Sequence, residues 1–222
     1  LTFGLMLTLA RQILPVDQSL RAGRWMKSKA KGSLLEGKTL GIVGAGSIGT
    51  CVGEMAVAWG MEAIGCTAHP TAAEAARLQT AGVRMAGFDE IVESADFLSI
   101  HVPLTGATRG LIGADVLRRM KPGAFLLNLS RGGVVDEAAL AEAITLGQIA
   151  GAGLDVHERE GEGHISILAG FPNVVLTPHI GATTVDTQRE IGRLIIEAVE
   201  RSCKQSFRLP PGYSLAQPIA VG

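Results

Sequence analysis

Two residues past the middle of the chain have side chains suited to gripping an anion and moving a proton. Arg131 lies in Asn128-Leu-Ser-Arg-Gly-Gly133, where the glycines admit close backbone approach and a guanidinium can hold a carboxylate by two parallel hydrogen bonds. An ordinary surface ion pair would use the same residue. His179 lies in Thr177-Pro-His-Ile-Gly-Ala-Thr-Thr184, between a strand end and a helix start. A lone histidine is more often structural than catalytic. The balance changes if a carboxylate reaches the ring, because an ionised partner favours the imidazolium and fixes the ring's orientation. The acids at hand are Glu158, Glu160 and Glu162, in a loop after Gly153-Leu-Asp-Val-His157 that on its own reads as a solvated turn.

A third stretch, Gly41-Ile-Val-Gly-Ala-Gly-Ser-Ile-Gly49, organises the rest. An apolar strand runs into Gly44, Gly46 and Gly49 at the G-x-G-x-x-G spacing, and a helix pattern follows at once. In that setting the first glycine permits the tight turn, the second lets a pyrophosphate meet the backbone, and the third lets helix and strand pack closely. Unpaired N–H groups at the helix start, around Ser47 and Ile48, and the positive end of the helix dipole favour the anion. The context points to dinucleotide binding rather than to a turn in a Gly-rich chain. Thr67, eighteen residues past Gly49, stands where this arrangement commonly puts an Asp or Glu on the adenosine ribose. Lack of an acid weakens discrimination against a 2′-phosphate. Yet no Arg or Lys falls between Thr67 and Glu74, and His69 is the one basic candidate, so NAD and NADP both stay open. After the fourth strand, His101-Val102-Pro103-Leu104 reads as a structural loop whose backbone lines the groove.

Such residues act together only if a scaffold gathers distant strand ends, and the hydrophobic pattern supplies one. Strands are expected at 39–43, 62–67, 83–86, 97–102, 124–129, 151–156 and 173–176. Between them fall helices at 48–59, 71–80 (opened by a Thr71-x-x-Glu74 capping box), 88–94, 113–120 and 136–146, the last capped by Asp136. A long amphipathic helix follows from 184 to about 204. This alternation means an α/β fold, a Rossmann-type doubly wound parallel sheet with helices on both faces, which keeps its ligand beyond the carboxyl ends of the strands. Ahead of it, Leu1, Leu5, Leu9 and Ile13 recur every four positions, giving a helix that Pro15 ends. Three regions result: a leading helix and basic arm at 1–36, the dinucleotide-binding domain at 37–205, and an extended Pro-rich tail at 206–222.

With 222 residues, 47% of them hydrophobic, the chain can bury a large core. Lys plus Arg (20) nearly balances Asp plus Glu (21), so neither nucleic acid nor an anionic membrane surface is indicated. A small molecule is the expected partner. Three scattered cysteines without C-x-x-C spacing suggest neither a disulfide framework nor a zinc site, no metal is expected, and a cytoplasmic setting fits. No run reaches the length of a membrane span.

Asn128-Leu-Ser-Arg-Gly, Leu154-Asp-Val followed by a Glu, and Thr177-Pro-His-Ile-Gly, in that order behind the glycine motif, resemble the D-isomer-specific 2-hydroxyacid dehydrogenases, over about residues 1–205. The resemblance implies hydride transfer between NAD or NADP and a small 2-hydroxy or 2-oxo acid. It implies a catalytic set in which Arg131 binds the substrate carboxylate, His179 gives or takes the proton and Glu160 holds the imidazole. It implies a cofactor groove formed by Gly44, Gly46, Ser47, Ile48, Gly49, Thr67, His101, Val102, Pro103, Thr108, Ser130, Asp155 and Gly181. A histidine at 179, rather than glutamine, argues against the formate-oxidising branch. The sequence departs from the family in having His157 where an aromatic is usual and Gly161 where a Pro follows the catalytic Glu, so Glu158 or Glu162 could take the role of Glu160. Family enzymes also carry a smaller substrate domain in front. Its absence here, with a first residue that is Leu, leads us to expect a piece of a longer protein that binds cofactor and turns over poorly. The arm with Trp25 suggests a homodimer. The alternatives are a corepressor-like NAD(H)-sensing protein of the same fold, or another two-domain enzyme such as an alanine dehydrogenase.

Overall fold

Residues 1–206, which the computed structural model describes, contain seven strands in one sheet: β1 (Thr39–Val43), β2 (Glu62–Cys66), β3 (Arg84–Met85), β4 (Phe97–Ile100), β5 (Phe125–Asn128), β6 (Gly151–Leu154) and β7 (Val174–Leu176). All neighbours are parallel and the order is β3-β2-β1-β4-β5-β6-β7. The sheet therefore winds outward in two directions from β1 and β4. At that switch point the loops after β1 and β4 diverge and leave a crevice.

Period-two alternation along the strands feeds two cores. Leu40 and Ile42 of β1 point into one, with Met6 of α1 (Thr2–Ala10), Val52 and Ala56 of α3 (Ser47–Ala58) and Leu78 of α4 (Ala72–Thr80). Val43 points into the other, with Ile91 of α5 (Phe88–Ser94), Leu117 of α6 (Ala114–Arg119) and Leu140 of α7 (Glu137–Thr145). Both faces of the sheet are thus covered, as the alternation of elements demands. Each fully buried Leu or Ile contributes about 1.5–3 kcal/mol, so the cores anchor the strand ends from which the site loops start.

The helix starts follow their capping residues. Thr71 Oγ accepts the Glu74 N–H at 3.2 Å while Glu74 returns a bond to the Thr71 N–H at 3.0 Å. Asp136 accepts the Ala139 N–H at 2.9 Å. The leading segment corrects the reading of Pro15. The break falls earlier, at Gln12, which takes the left-handed conformation (φ 54°), and α2 (Ile13–Arg21) carries Pro15 inside its first turn. A first-turn N–H has no partner within its helix, so proline is tolerated there, and the helix extends into the stretch read as an arm.

The chain divides into two units, Leu1–Gly181 and the part from Ala182 on. The second, taken by itself, contains α8 (Val185–Ser206), opened by Thr184, whose hydroxyl accepts the Thr187 N–H at 3.0 Å. The tail read as extended lies, from 207 on, outside the described residues. Among the described residues no helix is long and apolar enough to cross a membrane.

Candidate active site

β6 delivers Asp155, which is 1% exposed. Its carboxylate accepts from Thr177 Oγ (2.6 Å), the Ile180 N–H (2.9 Å) and the Gly181 N–H (2.8 Å), and its backbone carbonyl accepts the His179 N–H (2.7 Å). These bonds hold His179 at φ 55°, a left-handed conformation that costs a non-glycine residue about 1–3 kcal/mol. Asp155, assigned by resemblance to the cofactor groove, here has its carboxylate engaged by the 177–181 turn, and so acts on the placement of the imidazole. Its spacing from Thr177, Ile180 and Gly181 carries no local signal of this.

His179 Nδ1 lies 3.0 Å from Glu160 Oε2. An ionised carboxylate only accepts, so the hydrogen is assigned to Nδ1 and Nε2 is left for a ligand. The hydrogen bond from His179 holds Glu160 below the usual carboxylate range, against the opposing effect of partial burial, and the His157 N–H reaching Oε1 at 3.2 Å adds to it. Of the three acids considered for this role, Glu158 is committed elsewhere. It accepts the Glu137 N–H at 3.1 Å while Glu137 accepts its own N–H at 2.7 Å, a reciprocal clasp at the start of α7. Glu162 lines the same cleft without meeting the ring. The cleft encloses about 680 Å3 and is walled by His157, Glu160, Pro178 and His179.

Arg131 projects from the turn after β5. Buried Asn128 shapes that turn, donating to the Arg131 carbonyl at 3.0 Å and accepting from the Ser130 N–H and hydroxyl at 3.1 and 2.9 Å. The guanidinium is exposed, donates to the Ser130 carbonyl at 2.6 Å, and forms no ion pair with an acid among the described residues. Gly132 backs onto the His157 carbonyl so tightly that a Cβ there would overlap it. Arg131 itself does not line the cleft of Glu160 and His179, so the structure joins two of the three catalytic candidates directly and the third through neighbouring backbone.

The glycine turn fits a dinucleotide. Gly44 has φ 95°, and a Cβ there would stand 2.7 Å from the His101 carbonyl, while the backbone at Gly46 faces open space, with nothing within 4 Å of a Cβ position. α3 has no side-chain cap, and its first helical bond, from the Thr50 N–H to Gly46 (2.9 Å), leaves the N–H groups of Ser47, Ile48 and Gly49 without helical partners. Thr67 Oγ is buried, without a hydrogen-bond partner among the described residues, beside a cleft of about 750 Å3 also lined by Val102 and Thr108. Thr108 Oγ donates to the Pro103 carbonyl at 2.6 Å, fixing that loop. His101 turns its ring away to Ser99 (2.8 Å), gives its N–H to Val43 (2.8 Å), and burial pushes its pKa down to about 4. One basic residue escaped the sequence reading: Arg77, which donates to the Ala45 carbonyl at 3.0 Å. It lies three residues beyond Glu74 on the same helix, past the 67–74 stretch to which the spacing from the glycine turn points.

The family model for the NAD binding domain of D-isomer specific 2-hydroxyacid dehydrogenases matches residues 3–181. Hydroxypyruvate reductase from Thermotoga maritima is 42% identical over 209 residues, covering 92% of this chain and 65% of its own. D-3-phosphoglycerate dehydrogenase from Archaeoglobus fulgidus is 40% identical over 201 residues, 90% of this chain and 38% of its own. The solved D-lactate dehydrogenase from Aquifex aeolicus, complexed with NAD and lactic acid, superposes with a TM-score of 0.82 at 29% identity, covering 98% of this chain and 69% of that one. The chain thus spans less than two thirds of the length of these curated relatives. With its sheet order, glycine turn and Glu160–His179 pair, the chain belongs to the D-isomer specific 2-hydroxyacid dehydrogenase family, as its NAD-binding domain.

Proposed function

We propose that this protein serves hydride exchange between a nicotinamide dinucleotide and a small 2-hydroxy or 2-oxo acid. The observation that carries the reading is the 3.0 Å contact of His179 Nδ1 with Glu160. The bound dinucleotide supplies or accepts the hydride. In the reducing direction His179 gives the Nε2 proton to the carbonyl oxygen, and in the oxidising direction it takes the hydroxyl proton, while Glu160 stabilises the imidazolium. Arg131, which has no acidic partner among the described residues, pairs with the substrate carboxylate and polarises the carbonyl. Hydroxypyruvate, phosphoglycerate and lactic acid, printed in the names of the relatives, support a small 2-hydroxy or 2-oxo acid as the substrate class. The intact carboxylate–imidazole pair favours an enzyme over a corepressor-like sensor.

The described residues bring the dinucleotide turn and the Glu160–His179 pair, and turnover further needs an oriented, water-poor cleft around them. Leu20, Trp25 and Leu34 are exposed on and beyond α2 and support a two-fold homodimer through this arm, which a monomeric mass in solution would disprove. Three free cysteines suit a reducing, cytoplasmic setting. The test is a titration with NADH and NADPH, followed by a spectrophotometric screen of the intact protein against glyoxylate, hydroxypyruvate and pyruvate. Turnover unchanged by His179→Ala would sink the reading, and robust turnover by the 222-residue chain alone would sink the expectation of poor activity.

A further inference from the structure

We propose that His157 is a positioning residue that locks the segments carrying Arg131, Glu160 and His179 to one another. The inference rests on the proton-transfer reading above and goes beyond it, because His157 occupies a position where an aromatic ring is usual and has been given no role.

Three contacts converge on it. The His157 carbonyl packs on Gly132, next to Arg131, with no room for a side chain between them. Its N–H donates to Glu160 Oε1 at 3.2 Å, while Oε2 of the same carboxylate faces His179, so the two oxygens are assigned to different partners. Its ring Nε2 lies 3.0 Å from the Thr177 carbonyl, which also receives the His179 N–H at 3.1 Å. One carbonyl is thus the point at which the His157 ring and the backbone of the proton donor meet.

The chemistry of the ring separates this role from simple space filling. A carbonyl only accepts, so Nε2 must carry the hydrogen, and in the neutral ring Nδ1 is then a bare acceptor. That Nδ1 is buried and has no hydrogen-bond partner among the described residues. An unpaired buried acceptor lowers stability, so packing alone would favour a phenyl ring, which has none. What imidazole offers and phenyl lacks is the donor to Thr177, and that bond restrains the turn on which His179 is held left-handed.

Nitrogen-15 NMR of the chain, whose five histidines can be assigned by single substitutions, tests this directly. His157 is expected in the Nε2–H tautomer. In His157→Phe the downfield Nδ1 proton of His179, hydrogen-bonded to Glu160, should broaden or vanish while NADH affinity stays within about twofold. His157→Gln, whose amide reaches the Thr177 carbonyl, should restore it. In the intact protein His157→Phe should lower kcat roughly tenfold with the KM for NADH unchanged, short of the hundredfold that a misplacement of about 1 Å can cost. An Nδ1–H tautomer, an unaltered His179 signal in His157→Phe, or equal losses in the Phe and Gln variants would overturn the proposal. His179→Ala separates the two ideas: unchanged turnover there defeats the proton-transfer reading, whereas the tautomer and His179 signals decide the role of His157 independently.

Discussion

Glu160 and His179 meet at 3.0 Å although nineteen positions and strand β7 separate them in the chain. The contact exists because Asp155 folds the 177–181 turn back over the end of β6, beside the loop that carries Glu160. His179→Ala should lower kcat/KM of the intact protein by about 10²–10⁴-fold, the usual contribution of a general acid–base. Glu160→Gln should cost less, since the amide oxygen still accepts from Nδ1 but no longer offsets the imidazolium charge. Steady-state kinetics of both variants against one 2-oxo acid checks the order. The Glu160 carboxyl, held low chiefly by the His179 bond, should rise toward its ordinary range in His179→Ala, as read by carbon-13 NMR. Because that carboxyl is depressed in the folded state, the pair supports the fold above the ordinary carboxylate range and loses that support as pH falls through the folded value.

Gly132→Ala should disturb both stability and turnover. The new methyl would overlap the His157 carbonyl, so one backbone must move, at a cost of about 1–3 kcal/mol typical of overpacking. Gly170→Ala, where a Cβ would meet nothing within 4 Å, is the control and should leave the melting temperature nearly unchanged. Equal melting curves for the two variants would contradict the close approach.

His101 makes the fold acid-sensitive. Burial brings its pKa from 6.5 to about 4, so between those values the unfolded chain binds a proton that the folded chain refuses. Stability is full above 6.5 and falls as the pH drops toward 4, by at most about 3 kcal/mol from this group. In His101→Gln, which can still bond Ser99, urea unfolding between these pH values should show a flatter dependence.

Thr67→Asp should change cofactor choice. The substitution puts a carboxylate in place of a buried, unpartnered hydroxyl beside the cleft, where it can accept from a ribose hydroxyl and will repel a 2′-phosphate. NADPH affinity should fall at least roughly tenfold relative to NADH, a difference of about 1.4 kcal/mol, read by nucleotide fluorescence titration. Equal changes for both nucleotides would place the adenosine ribose elsewhere.

Much of this arrangement was legible in the chain because it depends on local rules. Alternation of short apolar runs with capped helices identifies all seven strands and the parallel sheet, and G-x-G-x-x-G in that context marks the switch-point turn. Pro15 misled because proline is a stop signal inside a helix and not in its first turn, and no local feature distinguished Gln12 as the true break. Which of three glutamates meets His179 could not be read from spacing either. Glu158 is excluded only by its exchange with Glu137, a pairing across twenty-one positions. The same holds for Arg77, which reaches the Ala45 carbonyl across thirty-two.

The enclosed carboxylate of Asp155 has a bearing on how such a protein can diversify. It ties the turn that carries the imidazole to the interior of the sheet, while Arg159, Gly161, His164 and Ile165 also line the cleft. Replacements at His164 and Ile165, which are not chain neighbours of Glu160, should therefore reshape the cleft wall while the bonds to Asp155 keep the His179 backbone in place.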